Sequence, residues 1–113
     1  MLYAAIRKYS IIPRFVVEVM QRITEDFLPI ISQEPDYLAY YAMRIGDNEV
    51  ITISIFDTLA GAEGSNPLAR EWVQKIIDRF VQGVPEMQVG RLFAGAVGAK
   101  PCAPVRTTKR RTV

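Results

Sequence analysis

The sequence predicts an α+β fold: one four-stranded, mainly antiparallel sheet with both helices on one face. Three observations point there. Four stretches alternate in hydrophobicity with a period of two, two others carry apolar residues at helical spacing, and the segments run in the order β-α-β-β-α-β. With 113 residues, half of them hydrophobic, the chain accommodates one compact domain with a small core.

The first strand is "LYAAIRKY", residues 2–9, with Leu2, Ala4 and Ile6 on one face and Tyr3, Ala5 and Tyr9 on the other. Pro13 suits the first turn of a helix, where its missing N–H costs nothing. Val16, Val19, Ile23, Phe27 and Ile30 then mark an apolar stripe, and Arg14, Glu18 and Arg22 form a polar ladder behind it. Pro29 is expected to kink this helix or confine it to about residue 28, with a last turn to Ser32.

The break "EPD" leads to a second strand from Tyr37 to Ile45, the turn "GDN", and a third strand from Glu49 to Asp57. In the third strand Ile51, Ile53 and Ile55 share one face, and Val50, Thr52, Ser54 and Phe56 the other. "TLAGAEGSN" contains two glycines that weaken a helix, so the second helix is expected to open at "SNP", capped by Ser65 or Asn66. Leu68, Trp72, Ile76 and Phe80 mark its apolar stripe, with Glu71, Lys75 and Arg79 outside. Gly83 and Pro85 are expected to end it, and "EMQVGRLFAGAV", residues 86–97, reads as the last strand. One sheet with both helices on one side satisfies this order most economically, which is the ferredoxin-like arrangement.

Two helices cover one face of such a sheet, yet the second strand is apolar or aromatic on both. Tyr37, Ala39, Tyr41, Met43 and Ile45 alternate with Leu38, Tyr40 and Ala42. Several exposed aliphatic and aromatic side chains represent unused association free energy, at about 25 cal/mol per Å² of apolar area. A symmetric homodimer with its sheets packed face to face is the expected cover.

Charge divides the chain. Residues 1–97 hold nine basic and all twelve acidic residues, a balance of −3, whereas residues 98–113 carry five basic residues and no acid. The expected organisation is a domain over residues 1–97 and a basic, disordered tail over 98–113. The tail segment "VRTTKRRTV" offers weak, charge-driven contact with nucleic acid. The sheet does not read as an RNA platform, because "EVITISIF" lacks the basic and glycine pattern of such strands.

Composition excludes several chemistries. With no histidine and a single cysteine, Cys102, the usual ligands of zinc, haem and iron–sulfur clusters are missing, as is any Ser/His/Asp set. No glycine-rich phosphate loop is present, which leaves cofactor-free or substrate-assisted chemistry. The apolar runs are shorter than the roughly 20 residues of a membrane-spanning helix, and "MLYAAIRKYS" is charged where a signal peptide would be apolar. A cytoplasmic protein with no membrane partner is expected.

"LYAAIRKY", "PDYLAYY", "TISIFD", "AGAEGSN" and "AREWV" together resemble the small proteins of the antibiotic biosynthesis monooxygenase family, over about residues 2–97. The resemblance implies a dimeric α+β barrel with a pocket in each subunit between helices and sheet. It also implies relatives that oxidise aromatic polyketides without a cofactor, relatives that degrade haem, and others with no assigned activity. The haem-degrading branch uses an Asn on the first strand with a Trp and a His on the second helix; of these the chain has Trp72 alone. The polyketide-oxidising branch pairs an Asn with a Trp beside Tyr and Arg side chains. Asn66 and Trp72 compare with that pair, although they stand six residues apart, more than in the family.

The ligand-binding candidates are therefore Trp72, Tyr41, Arg91 and Asn66, without assigned catalytic roles. Trp72 could lie over a flat ligand or simply fill the core, and Asn66 could equally cap a helix. Arg91 and Arg7 lie on strands, where a cation facing a pocket would stabilise an enolate or phenolate; paired with Glu49 or Asp57 they would be ordinary surface charges. Two functional readings follow: a small-molecule-binding protein resembling cofactor-independent monooxygenases of aromatic compounds, or a non-catalytic dimerisation or regulatory module.

Overall fold

The computed structural model describes residues 1–96 and Gly98. The expected domain boundary at residue 97, the basic tail and Cys102 lie outside the described residues. Four strands form one sheet in the order β2-β3-β1-β4: β1 Tyr3–Ile11, β2 Tyr37–Ile45, β3 Glu49–Phe56 and β4 Val81–Arg91. Every neighbouring pair is antiparallel. Together with the two helical segments on one face, this is the predicted ferredoxin-like α+β arrangement.

The first helical segment occupies residues 13–31. A 3₁₀ turn, Pro13–Phe15, leads into α1, Val16–Arg22, then a π-helical turn, Ile23–Phe27, and α2, Leu28–Ile31. Pro29 does not end the helix. The preceding turn widens, with the Leu28 N–H reaching the Ile23 carbonyl, so the proline is accommodated where regular α geometry would clash. Val16, Val19, Ile23, Phe27 and Ile31 are buried against the sheet. The Glu18–Arg22 rung of the polar ladder closes at 2.9 Å.

The second segment departs from the sequence reading. α3 runs unbroken over Leu59–Trp72, through both glycines and Pro67, and continues as a π-helical turn, Val73–Ile77, and a 3₁₀ turn, Asp78–Phe80. Its cap is Thr58, whose hydroxyl accepts from the Gly61 N–H at 3.0 Å, so neither Ser65 nor Asn66 opens the helix. Gly61 has a packing role: a Cβ there would stand 2.9 Å from Cδ2 of Phe56. Only glycine lets α3 approach β3 this closely, and that tertiary gain outweighs its poor helix propensity.

β4 begins at Val81, earlier than expected, because β1 supplies hydrogen-bonding partners as soon as the helix ends. Gly83, at φ +74°, sits where the β1–β4 register shifts between Lys8 and Ser10, and Pro85 is tolerated on this edge strand. A second irregularity between Tyr37 and Ala39 places Tyr37 against Phe56 on the helix-covered face, rather than beside Tyr41. No helix among the described residues is long and apolar enough to cross a membrane.

Candidate functional site

Alternation along β1 and β3 sends Ala5, Arg7, Tyr9 and Ile11, with Val50, Thr52, Ser54 and Phe56, into the space beneath the helices, and all eight are buried. Arg7 lies at the centre, fully excluded from solvent. Its guanidinium donates to four neutral oxygens: Nε to Thr52 Oγ1 at 3.3 Å, Nη1 to Ser65 Oγ at 3.2 Å and to Asn66 Oδ1 at 2.9 Å, and Nη2 to Ser54 Oγ. No ion pair among the described residues includes it; Glu49 is taken by Lys8, at 3.2 Å on the other face of the sheet.

The α3 backbone explains the convergence. Ala62, Ser65, Ala69 and Trp72 are its buried positions, at helical spacing, and Asn66 flanks that stripe. Ser65 is held by donating to the Ala62 carbonyl at 2.7 Å, which turns its oxygen toward Arg7 as an acceptor.

Phe27, from the π-helical turn, is the aromatic hub of the same region. Its ring centroid lies 5.3 Å from that of Trp72, 5.8 Å from that of Tyr40 and 5.9 Å from the Arg7 guanidinium carbon. The last contact is a buried cation–π interaction, which spreads the charge of Arg7 without neutralising it. Trp72 is buried, and its Nε1 is the one buried side-chain nitrogen or oxygen among the described residues that has no hydrogen-bond partner. A buried indole N–H normally finds an acceptor, so this one marks a place where an acceptor is missing.

Burial raises the pKa of Tyr9 above its ordinary value, opposed by the positive charge of Arg7. Burial likewise raises that of Tyr40, again against the pull of Arg7. Both phenols therefore stay neutral around the cation through the physiological range.

A groove of about 460 Å³ opens between the second helical segment and β4, lined in part by Arg70, Val73, Gln74, Asp78, Val84 and Met87. That volume lies in the range of small-molecule sites. Met87 is the register partner of Arg7 and Val73 follows Trp72 in the chain, but neither Arg7 nor Trp72 lines the groove. Arg70 Nη2 reaches Met87 Sδ at 3.5 Å across the groove.

The four sequence candidates do not share one place. Trp72 and Asn66 belong to the buried cluster, Asn66 through Arg7 and Trp72 through Phe27. Tyr41 lies across the sheet on the uncovered face, 45% exposed, because it pairs with Ile53 there. Arg91 is exposed at the end of β4, with its guanidinium 5.0 Å from the Phe93 ring. Arg7, read as a surface strand charge or a pocket cation, is fully buried and has no acidic partner among the described residues. Phe27, Ser54 and Ser65 were not singled out as site residues. One signal was present: Thr52 and Ser54 alternate with Val50 and Phe56 on a face that must be buried, which calls for a buried polar partner.

No family model matches the sequence, and none of the curated proteins matches it. Solved structures match the fold. A protein of unknown function from Nitrosomonas europaea, NE2512, superposes with a TM-score of 0.72 at 16% identity, over 88% of this chain and 96% of its own. The monooxygenase ActVA-Orf6 of Streptomyces coelicolor, solved in complex with nanaomycin D, gives 0.68 at 13% identity, over 86% and 92%. A candidate antibiotic biosynthesis monooxygenase from Chloroflexus aurantiacus gives 0.64 at 14% identity, over 86% and 98%. The fold of this chain is thus one found among antibiotic biosynthesis monooxygenase-like proteins, as the resemblance in its sequence implies.

Proposed function

We propose that the chain belongs to this monooxygenase-like group and binds a small aromatic molecule between its helices and its sheet. The proposed activity is cofactor-independent oxidation of that molecule. The observation that carries the reading is the unpartnered Nε1 of Trp72 inside an aromatic cluster with Phe27 and Tyr40. An aromatic ring there would stack on side chains already in place, and an oxygen on it would accept from the indole N–H. ActVA-Orf6, with the same fold and bound nanaomycin D, supports the choice of an aromatic ligand, although a shared fold does not by itself carry function.

In such a reaction one atom of dioxygen becomes the carbonyl oxygen at an activated ring CH₂ and the other leaves as water with the two hydrogens, so the redox balance closes without a protein-held electron carrier. The roles left to the side chains are to hold the ring, exclude water and stabilise negative charge on the substrate oxygen once a proton leaves. Titration with dihydroxyanthrone, followed by oxygen consumption and by native mass spectrometry, tests both parts. Retention of the probe with oxygen uptake above the uncatalysed rate supports the full proposal. Retention without uptake reduces it to binding, and no retention defeats it. Trp72→Phe keeps the ring stack but removes the N–H donor, so it should weaken retention about tenfold with little loss of stability.

A second reading, a dimerisation module, is favoured by the uncovered face of the sheet. Ile6, Tyr41, Met43 and Ile45 are each more than 40% exposed there, beside half-buried Ile51, Ile53 and Ile55. We propose that a second copy of the chain covers this patch, an interface that must bury at least about 1,200 Å² in total to be stable. The two readings are compatible, since the site and the patch occupy opposite faces of one sheet.

A further inference from the structure

We infer that the groove between the second helical segment and β4 is a second binding site, for a short apolar peptide with free ends, whose carboxylate meets Arg70 and whose ammonium meets Asp78. The inference is independent of the aromatic site beneath the helices, since neither Arg7 nor Trp72 lines this groove.

Two departures from regular backbone face each other across it. On the helical wall, Val73 and Gln74 belong to the π-helical turn Val73–Ile77, and such turns recur at functional sites. On the strand wall, β4 spends three residues, Gly83, Val84 and Pro85, where β1 has Tyr9 alone, and all three line the groove. A bulge of this kind bends its strand and re-aims the side chains there. Core packing does not account for it, because the Val84 side chain is 90% exposed and gains no burial from its position. The Gly83 and Val84 backbone groups stand outside the β1 ladder, so they are open to a ligand that brings donors and acceptors of its own, as a peptide does.

Charge fixes the rest of the ligand. Arg70, Gln74 and Asp78 follow one another at four-residue intervals along the helical wall, and all three line the groove. Arg70 and Asp78 are opposite in charge, yet neither forms an ion pair among the described residues. The side-chain partner of the Arg70 guanidinium is the Met87 thioether, a weak acceptor. Eight residues of helical rise hold the two charges apart by roughly 12 Å at the backbone. The rest of the lining is mainly apolar: Val73, Val81, Val84, Pro85 and Met87. One cation, one carboxylate and an apolar lining are complementary to a zwitterion with an apolar body. An extended tripeptide spans about 10 Å between its ends, which brings both charges within reach, whereas a single amino acid is too short to meet both. The groove's volume of about 460 Å³ lies in the range for a ligand of that size.

Isothermal titration of the intact protein with trileucine, acetyl-trileucine and trileucine amide tests the site. Trileucine, which carries both charges, is expected to bind at least about tenfold more tightly than either blocked form. Arg70→Gln should erase its advantage over the amide, and Asp78→Asn its advantage over the acetyl form. Both side chains are exposed, so neither change threatens the fold. No saturable binding of trileucine, or equal binding of all three forms, would overturn the assignment. Advantages that survive both substitutions would also overturn it, by placing the peptide elsewhere on the protein.

Discussion

The two faces of the sheet invert the usual order of inside and outside. The face beneath the helices is sealed, yet it holds an arginine, a threonine and two serines at its centre. The opposite face is open, yet it presents an apolar surface across β2 and β3, with polar residues at Glu49, where β3 begins, and on the side of β1 and β4: Lys8, Ser10, Glu86 and Gln88. A monomer built only for stability would distribute these residues the other way. The contrast teaches that each face is unfinished: the buried one lacks an acceptor, and the open one lacks a cover.

The largest expected effect comes from emptying the hub of the sealed face. Phe27→Ala removes the ring that touches Trp72, Tyr40 and Arg7, and should cost about 3–5 kcal/mol in urea denaturation, the range for buried Phe truncation. A loss below about 1 kcal/mol would mean that the sealed face is loosely packed, and the contrast between the faces would fail.

The open face is tested next, by charge. Ile53→Lys sets a cation in the middle of the apolar patch, where water solvates it in a monomer and a partner sheet would strand it. Light scattering should show the mass falling from dimer to monomer at micromolar concentration, with the circular dichroism spectrum unchanged. An unchanged dimer would assign the interface to another surface, and a monomeric parent protein would remove the dimer proposal.

A smaller effect depends on pH. Burial raises the pKa of Tyr9, Tyr37 and Tyr40 above the ordinary value of 10.0. Above that value the unfolded chain releases phenolic protons that the folded chain retains, so the unfolded state binds fewer protons and stability falls as pH rises. The contribution is complete below pH 10.0 and is lost progressively above it. Thermal midpoints compared at about pH 8 and about pH 11 should drop, and Tyr40→Phe should flatten the dependence.

The smallest effect is expected at Arg91, outside both regions. Its side chain is exposed beside Phe93, so Arg91→Ala should alter stability by no more than about 0.5 kcal/mol and leave retention of the dihydroxyanthrone probe unchanged. A marked loss of affinity would return this residue to the site.

Much of the architecture was legible in the sequence because strand and helix periodicities are local properties. Alternation marked β1, β2 and β3 to within two residues at each end, and the stripe Val16, Val19, Ile23, Phe27 marked the first helical segment. The misreadings arose where a distant partner overrode a local preference. Gly61 reads as a helix breaker until Phe56 lies against it, and Gly83 reads as a stop until β1 offers a register shift to absorb it. Of the candidate residues, Trp72 and Asn66 lie beneath the helices, whereas Tyr41 lies on the open face. Alternation gives the relative faces within a strand; it does not say which of two apolar faces the helices will choose.

What the sequence by itself determined is the order of elements, the two-sided apolar character of the second strand and the exclusion of histidine-dependent chemistry, because each follows from residue type and spacing. Only the tertiary structure decided that Arg7 lies buried among four neutral oxygens and that the Trp72 N–H goes unmet. Residues up to 59 positions apart bring those groups together, and hydrogen-bond satisfaction is a property of the assembled interior, not of any one segment.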